Sequence, residues 1–142
     1  MADSARGVRA PLLFHPPLVA AGSALLISAL VTDIAYYQTA LFQWSNFSIW
    51  LITAGLIFAV FGGIAILLDD RLGRSGPISW GHFAILVLAA LLSLVNAFVH
   101  SRDAWTSVVP AGLILSAIVT VLLLVNSWRG WSCAYVRERP AK

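Results

Sequence analysis

The 142 residues are 60% hydrophobic and 11% charged, with a formal net charge of +3, whereas a soluble domain carries about 25% charged residues. That composition is short of the polar surface water demands, and its sparse basic residues do not make the concentrated face a nucleic-acid groove requires, so no nucleic-acid partner is expected. The single cysteine, Cys133, rules out an internal disulfide and a thiolate metal cluster and leaves the redox compartment open.

Arg6 and Arg9 precede an apolar stretch in the manner of a secretory signal, but that stretch runs from Pro16 to Thr32. It outlasts the roughly 7–15 residues of a cleaved signal core and opens on His15-Pro16-Pro17, so a retained first helix is expected. Four spans follow in order: about Pro17–Tyr37, Ile49–Leu68, Gly81–Phe98 and Val108–Val125. Each approaches the ~20 apolar residues that cross a hydrocarbon core of roughly 30 Å. Backbone polar groups in lipid must be satisfied within the segment, which makes each span a helix. The connections Thr39–Phe47, Asp69–Ser79 and His100–Thr106 are short, so sequential helices run antiparallel. The expected fold is an all-α integral membrane protein, one domain over residues 1–142 forming an up-down four-helix transmembrane bundle. Pro110 is expected in the first turn of the fourth helix, where its missing N–H costs nothing.

Charge sets the orientation. Arg6, Arg9, Arg71, Arg74, Arg129, Arg137, Arg139 and Lys142 belong to the termini and the second connection, and Arg102 alone lies on the other side. By the positive-inside rule both termini are expected in the cytoplasm of a bacterial inner membrane. The six tryptophans fall near span ends, Trp44, Trp50 and Trp105 outside and Trp80, Trp128 and Trp131 inside, as an aromatic belt. Small residues crowd the first helix (Ala20–Ala24) and one face of the second (Gly55, Ala59, Gly62, Gly63), which predicts close helix packing within the monomer. A homo-oligomer face and a cofactor slot are the other uses of such a surface.

Polar residues at membrane depth are costly and mark candidate sites. His15 opens the first helix with Asp33 18 residues later, and His82 opens the third with His100 again 18 residues later. This spacing suggests two related helical hairpins, residues 11–70 and 78–130. It puts His15 and His82 at one depth, and Asp33 and His100 together about 27 Å away. Two imidazoles on different helices can ligate a haem b from opposite faces, with Phe14, Leu18, Phe83 and Leu86 as the expected wall. The structural alternative is hydrogen bonding of each histidine to headgroups or loop carbonyls. With another metal, Asp69 or Asp70 could add an oxygen ligand. Asp33, His100 and Asn96 form a candidate intramembrane polar set, able to relay protons, meet a quinone carbonyl or simply tie two helices together. Asp69, Asp70, Arg71 and Arg74 are expected in a solvated loop, and Arg102 with Asp103 in a surface pair.

Phe14-His15-Pro16-Pro17-Leu18-Val19, Asp33, Gly62-Gly63 followed by Asp69, His82, Asn96 with Arg102, and the tail Ser127-Trp128-Arg129-Gly130 with Tyr135-Val136-Arg137 form a pattern over most of the chain. It resembles a widespread bacterial family of small four-helix membrane proteins of unknown function. The chain departs from that pattern where it lacks the glycine before the tail tryptophan, and where Leu86 replaces an asparagine one turn after the third-helix histidine. The resemblance implies the fold and orientation but no reaction; for some relatives it implies association with redox enzymes such as quinoprotein sugar dehydrogenases.

No phosphate loop, His-Glu-x-x-His zinc motif or nucleophile elbow is present, so no catalytic activity of its own is expected. Three functions remain open: an accessory or anchoring subunit in the lipid bilayer, a haem b electron-transfer protein linked to quinone, and a small oligomeric permeation bundle.

Overall fold

The computed structural model describes residues 13–75, 78–102 and 104–137, and the side chains among these except at 104, 105 and 129–137. Arg6, Arg9, Asp103, Arg139 and Lys142, and the side chains of Trp105, Arg129, Trp131, Cys133 and Arg137, lie outside the described residues. Four helices account for the fold: α1 (His15–Thr39), α2 (Phe42–Arg71), α3 (Trp80–His100) and α4 (Ala111–Arg137), with a 3-10 turn at Ala104–Ser107. All four are long and apolar enough to cross a membrane.

The helices pack as a ring, α1 on α2, α2 on α3, α3 on α4 and α4 back on α1. Helices α1 and α3 are therefore diagonal partners across the interior. One end of the bundle carries the start of α1, the end of α4 and the α2–α3 connection, and we call it the terminal end. The other carries the α1–α2 and α3–α4 connections and is the loop end.

The closest seam is α1 on α2. A Cβ on Gly22 would sit 3.2 Å from Phe58 Cβ and 3.3 Å from the Gly55 carbonyl oxygen, and one on Gly55 would lie 2.7 Å from Leu26 Cγ. Glycine at both positions lets the two backbones touch, which is how helices gain dispersion contacts in lipid. Gly63, by contrast, has open space where a Cβ would go, so it is not part of the seam.

Helices α1, α2 and α3 run past both ends of the spans expected from hydropathy, and in α2 the added turns bring in buried polar residues. Helix α2 begins at Phe42, leaving Ala40 and Leu41 as the connection, with Ala40 in the left-handed conformation (φ 53°) and its N–H bonded to the Tyr36 carbonyl at 2.8 Å. Gln43–Phe47 resembles a loop in sequence but is helical, because Ser45 and Ser48 turn inward and find partners there. At its other end α2 continues through Asp69, whose side chain is fully buried; the solvated loop expected around Asp69 is incorrect. Pro110 precedes α4 instead of occupying its first turn, and its carbonyl accepts from Ile114 N–H at 3.1 Å.

Polarity is distributed inside out. Asp33, Ser48, Asp69, Ser93 and Asn96 stand among the largest fully buried side chains, while Val31, Val60, Phe61, Phe98 and Val121 are exposed. In water such an arrangement would be costly. In a bilayer it matches each surface to its solvent.

Candidate functional site

At the loop end Asp33 of α1 is the acceptor for the other three helices. Ser48 of α2 donates to its Oδ1 at 2.5 Å, His100 of α3 approaches the same oxygen through Nε2 at 2.9 Å, and Ser116 of α4 donates to Oδ2 at 2.5 Å. Ser116 in turn accepts from Asn96 Nδ2 at 2.8 Å, and the Asn96 backbone carbonyl lies 3.0 Å from His100 Nδ1. Acceptors thus face both ring nitrogens of His100, and both side chains of the Asp33–His100 pair are 0% exposed. The expected pair is present, though it spans the diagonal between α1 and α3 and does not join adjacent helices. Gly112 makes room for it: a Cβ there would meet His100 Cε1 at 2.9 Å and the Ser107 carbonyl oxygen at 3.2 Å.

At the terminal end His15 and His82 line one cavity of about 860 Å³. His15 Nδ1 bonds Asp69 Oδ2 at 2.8 Å, and the same oxygen accepts the backbone N–H groups of Phe14 at 2.9 Å and His15 at 3.1 Å. Asp69, at the end of α2, thereby satisfies N–H groups that the start of α1 cannot bond internally. His82 Nδ1 bonds Asn126 Oδ1 of α4 at 2.8 Å. In each hairpin a histidine in the first turn of the first helix is held by a side-chain oxygen of the second, Asp69 in the last turn of α2 and Asn126 in the second half of α4.

An acceptor opposite Nδ1 fixes the proton there and leaves the Nε2 lone pair for a ligand, the arrangement that orients metal-binding histidines. Val19, Ile27, Phe83, Leu86, Leu123 and Leu124 supply the apolar wall. Phe83 and Leu86 match expectation, whereas Phe14 and Leu18 are not in the lining; Phe14 instead lies under the Arg74 guanidinium, 4.8 Å from its ring centre. The cavity is within the roughly 300–1,000 Å³ of small-molecule and cofactor sites. Among the described residues no group of three or more His, Cys, Asp or Glu side chains is placed to hold a metal ion. The imidazoles lining the cavity are those of His15 and His82, and a haem iron takes two axial ligands.

An apolar layer of Leu26, Ala29, Ile52, Ala89, Val119 and Leu123 lies in the core between the two polar centres. Sequence reasoning missed Ser48, Ser116 and Asn126. Ser48 follows the polar residues Gln43, Ser45 and Asn46 just ahead of the expected second span, whereas Ser116 is a lone hydroxyl in an apolar window that shares a helical stripe with Gly112 and Thr120 at four-residue spacing, a signal that a face-by-face reading could have used. Asn126 lies one residue beyond the expected fourth span.

No curated protein and no solved structure matches the chain at a significant level. A family model described as "Predicted membrane protein (DUF2231)" matches residues 11–138 and takes in all four helices and both polar centres. With its four membrane-length helices and nearly the whole chain inside that match, the protein belongs to the DUF2231 family of membrane proteins.

Proposed function

We propose that this protein binds haem b between His15 and His82 and passes electrons towards quinone, as an anchoring or accessory subunit of a membrane redox enzyme. The carrying observation is that two histidines from diagonally opposed helices line one largely apolar cavity, each with Nδ1 already held by an oxygen. Haem would supply reversible one-electron chemistry in a bundle core. The chain's own contribution is to fix two imidazoles and to surround them with aliphatic and aromatic side chains that exclude water. The positive-inside count supports termini in the cytoplasm of a bacterial inner membrane, which puts this cavity in the cytoplasmic half.

An accessory role resting on the bundle's own packing is the second reading, favoured by the Asp33 centre, where side chains from all four helices bond one another. Permeation through a single bundle has less support, because the apolar layer at Leu26, Ile52, Ala89 and Val119 fills the middle of the core. His82→Ala separates the first two readings. It should abolish the b-type spectrum of the purified protein, and added imidazole should restore part of it. Unchanged haem content in this variant would contradict the ligand assignment.

A further inference from the structure

We infer that Asp69 and Asn126 are positioning residues that make His15 and His82 unequal ligands, one imidazole backed by a carboxylate and the other by a neutral amide. This rests on the haem reading above and adds to it a direction for the iron's electronic balance.

The geometry around Asp69 is lopsided. Three donors, Phe14 N–H, His15 N–H and His15 Nδ1, converge on Oδ2, while Oδ1 is buried with no hydrogen-bond partner among the described residues. A proton on Oδ1 would be a buried donor without an acceptor, and Oδ2 already accepts from two backbone groups that can only donate. The arrangement is therefore that of a carboxylate. Its side chain is 0% exposed, against 27% for His15, so its charge acts on the imidazole through little solvent.

A carboxylate accepting from Nδ1 pushes electron density onto the ring and strengthens Nε2 as a donor. Asn126 accepts from His82 Nδ1 at the same distance, 2.8 Å, but brings no charge. The two imidazoles thus share the Nδ1–oxygen distance and differ in basicity. The stronger donor favours the ferric state, which carries one more positive charge, and so lowers the reduction potential.

Asp69 also holds the first turn of α1, so a loss of function on its removal would have two explanations. The lopsided geometry separates them. In Asp69→Asn the amide oxygen can occupy the Oδ2 position and keep all three bonds, with the NH2 group in the place of Oδ1. The charge is lost, and an NH2 group without an acceptor takes the place of the unpartnered oxygen. In Asn126→Asp a charge is gained behind the other ligand.

The experiment is reconstitution of purified apo protein with haemin, read by binding titration, by low-spin bis-imidazole electron paramagnetic resonance and by equilibrium redox titration. Asp69→Asn should bind haem about 10-fold more weakly, retain the bis-imidazole signature and show a midpoint shifted to positive potential. Asn126→Asp should shift it the other way. Wild-type affinity and an unmoved midpoint in Asp69→Asn would overturn the inference and leave Asp69 as a helix cap alone. Failure of the wild-type chain to bind haemin would overturn the haem reading itself, and this inference with it. Should Asp69→Asn misfold, opposite-signed behaviour of Asn126→Asp decides the matter, since an unmoved midpoint there also counts against unequal ligands.

Discussion

Replacing Asp33 with alanine removes the acceptor on which α2, α3 and α4 converge. The two serines have fallbacks: Ser48 Oγ already lies 3.3 Å from the Ala29 carbonyl, and Ser116 keeps its bond from Asn96. Among the described residues His100 has none on its Nε2 side, where its partner is Asp33. Breaking a buried pair by deleting one member costs about 3–5 kcal/mol, because the remaining group stays desolvated. Against a total stability of roughly 5–15 kcal/mol that is a large fraction, and at about 2–4 °C per kcal/mol it lowers the melting temperature by roughly 10 °C. The assay is equilibrium unfolding in mixed micelles of wild type, Asp33→Ala, His100→Ala and the double variant. Ordinary interhelical hydrogen bonds in membrane proteins couple by about 0.6 kcal/mol on average. We expect the Asp33–His100 coupling to be well above that, with the double variant less damaged than the sum of its parts. A coupling at or below about 0.6 kcal/mol would refute the view that this pair fixes how the four helices meet.

Gly112→Ala should be destabilising by about 1–3 kcal/mol, since its methyl would press on His100 Cε1 at 2.9 Å and on a backbone carbonyl at 3.2 Å; a stability equal to wild type would count against a tightly packed loop-end centre. Gly55→Val should loosen the α1–α2 seam, where even a Cβ meets Leu26 at 2.7 Å and the Gly22 carbonyl at 3.3 Å, whereas Gly63→Val should be tolerated because nothing lies within 4 Å. Comparison of their melting temperatures reads this directly, and equal loss in both would contradict the seam. Asp69→Asn should weaken haemin binding about 10-fold with α1 still in place, as judged by circular dichroism alongside the titration.

The helices were legible in the sequence because four blocks of apolar residues are long enough to span a bilayer, and hydropathy reads such blocks regardless of what they pack against. Their true ends were not. Ser45, Ser48 and Asp69 look like loop residues in a linear reading, and only their inward orientation, each with a partner on another helix, makes them helical. The 18-residue spacing placed His15 with His82 and Asp33 with His100, since depth in a bundle follows from counting residues. Counting could not supply rotation about the helix axis. That is why Asn126 and Ser116, which complete the two centres, emerged only from the packed bundle.

The central claim is a haem held by two histidines, and the most direct test is a reduced-minus-oxidised visible spectrum of the purified protein, with haem and metal quantified on the same sample. A sharp b-type band at about one haem per chain is expected, lost in both His15→Ala and His82→Ala. A spectrum without that band, in protein reconstituted with haemin and folded by its melting curve, would contradict it.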